Sequence, residues 1–204
     1  MVRLFIGITL SFLAVAAHAA AIERFKTFAK GTQTARGSFE QKVYDRDKRL
    51  SQESKGSFVF NRPGKFRWVY DKPVDQVIVG DGERVWIYDR GLAQVTVRKL
   101  SRALGSTPAA LLAGSADVEG VFELSEAGAK DGIEWLEAKP KDREAGFEKI
   151  RMGFNAAGLQ TMELSDNFGQ TTLLRFTSLQ PNAKVEAKEF RFEPPKGADV
   201  LGDK

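Results

Sequence analysis

Gly56–Tyr70 reads GSFVFNRPGKFRWVY. Phe58 and Phe60 stand two apart, and Phe66, Trp68 and Tyr70 repeat the spacing with Arg67 and Val69 between them. Successive side chains of a strand leave opposite faces, so this period of two predicts strands over 56–62 and 66–70 with one apolar face. Phe39 and Val43 extend that face upstream into Ser38–Tyr44, where Ser38, Glu40 and Lys42 point the other way. Downstream, short strands fit near 74–79, 84–88 and 93–98, and Asp81-Gly82 is a tight-hairpin signal. Further strands fit near 120–125, 132–138, 147–154, 158–165 and 170–178, with Asn155 to Gly158 and Asn167-Phe168-Gly169 as punctuation. Ten or eleven strands at this regular spacing mark an antiparallel barrel or sandwich. After a connection from Pro181 to Ala187, a last strand is expected at Glu189–Glu193, before Pro194-Pro195. Gly202-Asp203-Lys204 is expected to lie outside any strand.

Two segments break the alternation. Over residues 22–34, Ile22, Phe25, Phe28 and Ala29 recur at helical spacing among Glu23, Arg24, Lys26 and Lys30. The segment reads as an amphipathic helix that frays into Gly31 and Thr32. Ser106-Thr107-Pro108 reads as a cap with Pro at the first helical position, followed by Ala109 to Ala113 as a short apolar helix ending at Gly114. Such helices bury their stripes most simply against the concave face of a curled sheet.

The start of the chain reads as an address. Arg3 precedes an apolar run, Leu4–Ala17, shorter than the roughly 20 residues that cross a bilayer, and Ala17-His18-Ala19 is a small-x-small cleavage site. Residues 1–20 are therefore expected to be a cleaved signal peptide, leaving 21–204 as a single secreted domain. Cys is absent and the only His, His18, leaves with the leader. The mature chain then has no Ser-His-Asp or Cys-His arrangement and no His or Cys zinc site. No metal, no cofactor and no catalytic residue are expected. Carboxylate pairs such as Glu119/Glu123 or Asp131/Glu134 could in principle hydrolyse a glycan, but exposed loop carboxylates are the plainer reading. The formal charge is +4 over the whole chain, with both signs interspersed, which reads as a solvated surface and not as a nucleic-acid footprint.

Five motifs, in order, carry a resemblance. Ser38-Phe39-Glu40-Gln41 is similar to S-F-x-Q, Arg62-Pro63-Gly64-Lys65-Phe66-Arg67-Trp68 to R-P-x-x-F-x-W, and Asp81-Gly82 with Trp86 and Tyr88 to D-G-x-x-x-W-x-Y. Thr107 to Ala113 resembles T-P-x-x-L-L-A, and Phe190 to Gly197 resembles F-x-F-x-P-P-x-G. All five are motifs of the outer-membrane lipoprotein carrier family, LolA. The resemblance implies a mainly β fold: an unclosed antiparallel β-barrel of about eleven strands, with short α-helices as a lid over an apolar cavity. It implies a monomeric periplasmic chaperone. Such a carrier takes lipoproteins from an inner-membrane ABC release complex (LolCDE), shields their acyl chains, and delivers them to an outer-membrane acceptor lipoprotein (LolB). That acceptor carries an N-terminal lipidated Cys, which this chain lacks.

Carried over residue by residue, Arg62 matches an arginine that hydrogen-bonds lid carbonyls and holds the empty cavity shut. Phe66 matches an aromatic near the cavity mouth, and Trp68 lines the same face. Phe39, Phe58, Phe60, Leu111 and Leu112 complete the expected lipid-contacting set, together with Phe25 and Phe28 from the first helix, where the family often has Leu. On local pattern alone these aromatics would be ordinary core and Arg62 a solvated edge residue. Two other architectures share parts of the pattern: a periplasmic lipid-binding sensor of the same fold, and a small outer-membrane barrel with its apolar faces outward.

Overall fold

The computed structural model describes residues 20–103, 109, 112–114, 118–142 and 145–202. The expected leader up to residue 19, the Ser106-Thr107-Pro108 cap and Leu111 lie outside the described residues. Helix α1 (Ala20–Gly31) leads into β1 (Thr34–Tyr44), β2 (Leu50–Asn61), β3 (Lys65–Tyr70), β4 (Gln76–Asp81), β5 (Arg84–Asp89) and β6 (Gln94–Lys99). Two short helices follow, α2 (Leu100–Ala103) and α3 (Val118–Val121), then β7 (Phe122–Lys130), β8 (Ile133–Pro140), β9 (Phe147–Asn155), β10 (Gly158–Asp166) and β11 (Thr171–Pro181). A 3₁₀ turn (Ala187–Phe190) and a last strand, β12 (Asp199–Gly202), complete the described chain.

The strands form one twelve-stranded sheet in the order β12-β6-β5-β4-β3-β2-β1-β11-β10-β9-β8-β7. Eleven pair antiparallel as the alternation requires, and β1 closes the long-range step by pairing with β11, Phe39 opposite Phe176 and Gln41 opposite Leu174. The edges are β12 and β7, so the sheet is unclosed. A membrane-spanning barrel needs closure and an outward apolar band. Here two edges stay open and the main apolar face is turned inward under α1.

That face follows from period two. Ala35, Phe39 and Val43 of β1, Phe58 and Phe60 of β2, and Phe66, Trp68 and Tyr70 of β3 are all buried. So are Leu136 and Ala138 of β8, Ile150, Met152 and Phe154 of β9, Leu159, Met162 and Leu164 of β10, and Leu174 and Phe176 of β11. Gly56 makes the aromatic packing possible. A Cβ there would sit 1.9 Å from the Val69 carbonyl oxygen and 3.1 Å from the Phe39 ring. Without it, Phe39 reaches across to Trp68 (ring centroids 4.3 Å apart) and to Tyr70 (5.3 Å, edge to face).

The expected strand at Glu189–Glu193 is corrected. Residues 187–190 are a 3₁₀ turn, and the following residues run extended over the outer face of the sheet without joining it. Phe190 and Phe192 have the spacing of a strand for another reason. Phe190 is buried, and Phe192 packs on Trp86 (5.8 Å) and Tyr88 (5.9 Å). Arg67 donates from Nε to the Glu189 oxygen (2.7 Å) and from Nη2 to the Arg191 oxygen (3.0 Å), occupying carbonyls a ladder would need. This strap covers a second apolar layer on the outer face, including Val77, Val79, Val95 and Val97, all buried. The end of the described chain is also corrected: Asp199–Gly202 is a strand, added parallel to β6 with Val200 opposite Val95.

Candidate functional site

Helix α1 lies over the inner face of the second half of the sheet. Its stripe meets the sheet through Phe25 and Phe28, each 6.4 Å from the Phe154 ring. Both ends are tied. At the N-terminus, where the first N–H groups lack helical partners, Glu126 Oε1 accepts from the Ile22 N–H (3.0 Å). Arg24 pairs with Glu134 (2.5 Å) and Lys26 with Glu119 (2.9 Å). These exposed pairs contribute little each.

The C-terminus is held differently. The last carbonyls of a helix lack partners and carry the negative end of its dipole. Arg62, at the end of β2 and 9 % exposed, is aimed at them. Its Nη1 donates to the Ala29 oxygen (2.6 Å), the Thr32 oxygen (3.2 Å) and, at 3.4 Å, the Phe28 oxygen. Its Nε donates to the Leu112 oxygen (2.9 Å). One guanidinium therefore joins the end of α1 to Leu112, beside which the Ala113 N–H donates to the Ala109 oxygen (3.1 Å). The guanidinium carbon also stands 5.1 Å from the centres of both the Phe28 and Phe60 rings. Burial pulls the Arg62 pKa down to about 10. At neutral pH it is still a cation, and among the described residues no carboxylate pairs with it. Its charge is stabilised by carbonyl dipoles and aromatic rings.

Sequence reasoning missed several partners of this latch. The Gly64 amide donates to the Ala113 oxygen (2.7 Å), a second tie next to Leu112. Asn182 donates from Nδ2 to the Gly31 oxygen (2.8 Å), and the Arg62 amide donates to the Gln33 oxygen (2.9 Å). Gln33 returns a bond from Nε2 to the Arg62 oxygen. A polar residue between Pro181 and Ala187 carries no local signal that it caps a helix 151 residues away. The apolar residues of β8 to β11 were legible by their alternation but were not assigned to the site.

The structure brings Phe39, Phe58, Phe60, Phe66 and Trp68 together on one wall, with Phe58 5.1 Å from Trp68 and 6.5 Å from Phe60. Phe25 and Phe28 pack on Phe154 of β9 beside this wall, and Phe28 and Phe60 share the Arg62 guanidinium; Leu112 belongs to the same buried cluster. All except half-buried Phe28 are at most 5 % exposed. Among the described residues the wall is packed closely by its own side chains.

Comparison with known proteins agrees with this architecture. The family model described as outer membrane lipoprotein carrier protein LolA matches residues 30–193. An outer-membrane lipoprotein carrier protein of Nitrosospira multiformis is 50 % identical over 187 residues, 91 % of this chain and 90 % of that one. One from Nitrosomonas europaea is 46 % identical over 206 residues, all of both chains. Among solved structures, a LolA superfamily protein from Nitrosomonas europaea superposes with a TM-score of 0.50 at 13 % identity, covering 83 % of this chain and 95 % of that one. A Thermus thermophilus protein reaches 0.55 at 15 % identity, covering 89 % and 98 %. These two likenesses concern the fold alone. A mainly β fold built on one unclosed sheet, with a buried arginine bonded to the end of helix α1, and a sequence matched over most of its length, place this chain in the outer-membrane lipoprotein carrier family, LolA.

Proposed function

We propose that this protein is a periplasmic carrier that shields the acyl chains of lipoproteins between the inner face of its sheet and its helices, and that it works without catalysis. The observation that carries the reading is the latch. Beside a large aromatic wall, the last carbonyls of α1 and the Leu112 carbonyl converge on one buried cation, Arg62. Each acyl CH₂ left in water costs about 0.8 kcal/mol. Cargo entering this wall replaces the contacts that Phe28, Leu112 and their neighbours make in the closed form, so binding is favourable only by the difference. That suits a carrier that has to give its cargo up.

The finer parts of the reading follow from the family. Phe25, Phe28, Phe39, Phe58, Phe60, Phe66, Trp68, Leu111 and Leu112 would contact the chains, and Arg62 would set the closing equilibrium. A leader ending near residue 20 would export a single mature domain, 21–204, as a monomer. Its donor would be the inner-membrane release complex LolCDE and its recipient the acceptor LolB. The test is to add the purified mature protein to spheroplasts and ask whether the medium gains triacylated lipoprotein bound to it at one to one. Lipoproteins that stay on the spheroplasts would refute the proposal.

A further inference from the structure

The outer face of the sheet carries a groove that the lipid wall does not use. It is a half-open depression of about 410 Å³ across β11, β1, β2 and β3, beside the strap. Ser178, Ser38, Ser57 and Val69 stand opposite one another in one row across these strands. Arg36, Val59 and Arg67 form the next row toward the latch, and Val59, 4 % exposed, gives the groove an apolar floor. The one carboxylate lining it, Glu189 of the strap, is already engaged. Arg36 donates to both its oxygens from Nη2 (3.0 and 2.8 Å), and the Glu186 N–H donates to Oε1 (2.8 Å). Half-buried Arg67 donates to two backbone oxygens of the strap, and among the described residues no carboxylate pairs with it. Buried charges are normally paired. Among the described residues, neither the Nη1 of either arginine nor any of the three serine hydroxyls has a hydrogen-bond partner. On the open side Arg175 and Lys55 flank Glu40. Around the groove, Arg36, Arg67, Arg175 and Lys55 therefore stand against Glu189 and Glu40 alone.

The strap shows how this face holds an extended chain. Arg67 bonds the oxygens of residues 189 and 191, two apart, Arg191 is extended (φ −93°, ψ 139°), and the Glu189 carboxylate lies on Arg36. We propose that the groove beside the strap is a docking site for an extended acidic segment of a partner protein. A carboxylate of that segment meets the Arg36 and Arg67 guanidinia, which hold carboxylates by charge-assisted bonds, and its backbone oxygens lie over the serine hydroxyls. A flat bilayer does not reach a concave floor, which favours a single chain over a membrane as the occupant. The site lies on the face opposite the lipid wall, so a partner seated there leaves α1 unobstructed. It does not depend on what the inner wall binds.

The test titrates the mature protein with the synthetic peptide acetyl-Val-Asp-Val-Glu-Val-amide, with its counterpart carrying Asn and Gln in place of the two acids, and with free glutarate. Binding is read from backbone amide resonances. The acidic peptide should move the amides of Ser38, Ser57 and Val69 and leave that of Phe154 in place. It should bind about tenfold more tightly than the uncharged peptide, the size of one charged hydrogen bond. Arg36→Gln should cut that preference to less than about threefold. Ser57→Tyr, which fills the groove, should abolish the shifts, with the inner-wall resonances unchanged as evidence that the sheet still folds. No shift at these amides with millimolar acidic peptide, or equal binding of the uncharged peptide, would overturn the site. So would a preference that survives Arg36→Gln intact. Shifts reproduced in full by glutarate at the same concentration would reduce the groove to an anion site and refute the docking of a chain.

Discussion

Replacing Arg62 by Leu should convert a carrier that releases its cargo into one that keeps it. The guanidinium makes three donor contacts at or below 3.2 Å to the Leu112, Ala29 and Thr32 oxygens, plus ring contacts at 5.1 Å to Phe28 and Phe60. Charged hydrogen bonds contribute about 1.5–3 kcal/mol each, and cation–π contacts about 0.5–2. Against this stands the cost of burying a cation, whose pKa has already fallen to about 10, and the gain in apolar surface from Leu. Netting these leaves the closed form favoured by about 2–4 kcal/mol less in the variant, a factor of about 30 to 1,000 in the closing equilibrium. On the proposed reading, in which cargo would bind the form with the latch released, apparent affinity should rise with the open fraction and cargo release should slow. Loading from inner membranes should be retained while transfer to outer-membrane vesicles slows at least about tenfold. Arg62→Lys keeps the charge but loses the planar fork, and should fall between the two. Wild-type transfer by Arg62→Leu, with wild-type probe affinity, would refute the reasoning.

Three other consequences are measurable. Burial raises the Tyr70 pKa to about 12, against 10.0 for a free phenol. A raised pKa stabilises the fold fully below 10 and loses that stabilisation as pH climbs through 12. Arg62, with its pKa lowered, works in the opposite direction over the same range. The decisive quantity is therefore the stability of the wild type minus that of Tyr70→Phe, which should shrink by about 2 kcal/mol between pH 10 and 12 in denaturant melts. Gly56→Ala puts a Cβ 1.9 Å from the Val69 oxygen. It should cost at least about 3 kcal/mol, read as a lower urea midpoint, because backbone and not a flexible tip is in the way. Arg67→Ala removes both bonds to the strap. It should speed hydrogen exchange at the Val95 and Val97 amides while leaving exchange in β9 and β10 unchanged.

How much of this could be read from residues alone depended on how local the cause was. Strand positions came from alternation and overlapped the observed strands through β11, but the start of β2 was missed by six residues and the end of β7 by five, with residues 120 and 121 helical. The inner aromatic wall came from the same alternation. What failed was the tail. Phe190 and Phe192 carry the strand period, but they point into the outer apolar layer instead of pairing in a ladder. Alternation reports burial on one side and says nothing about whether the backbone finds a neighbouring strand. β12 is four residues of ordinary composition whose pairing with β6 depends on where the strap delivers it. The Arg62 contacts were expected only through the family resemblance. A lone Arg before Pro has no pattern of its own, and its partners come from helices distant in sequence.

Under the proposed function, the close packing of the wall would let one fold both bind and release fatty chains. In a rigid empty pocket, two or three acyl chains would gain most of their transfer free energy, which at about 0.8 kcal/mol per CH₂ amounts to tens of kcal/mol. Non-covalent affinities saturate near 18–21 kcal/mol, and release from that depth is slower than any useful transfer. Here the wall is already dry. Phe39, Phe60, Phe66 and Trp68 are at most 2 % exposed, so lipid entry exchanges one set of apolar contacts for another and removes little protein surface from water. The favourable term is then the water released from the lipid alone, reduced by the packing the protein gives up and by the latch it has to open. The first is a property of the cargo and cannot be tuned. The other two lie in the protein, and of these the latch rests on a few carbonyls around one guanidinium, where a single substitution shifts the balance without unmaking the wall.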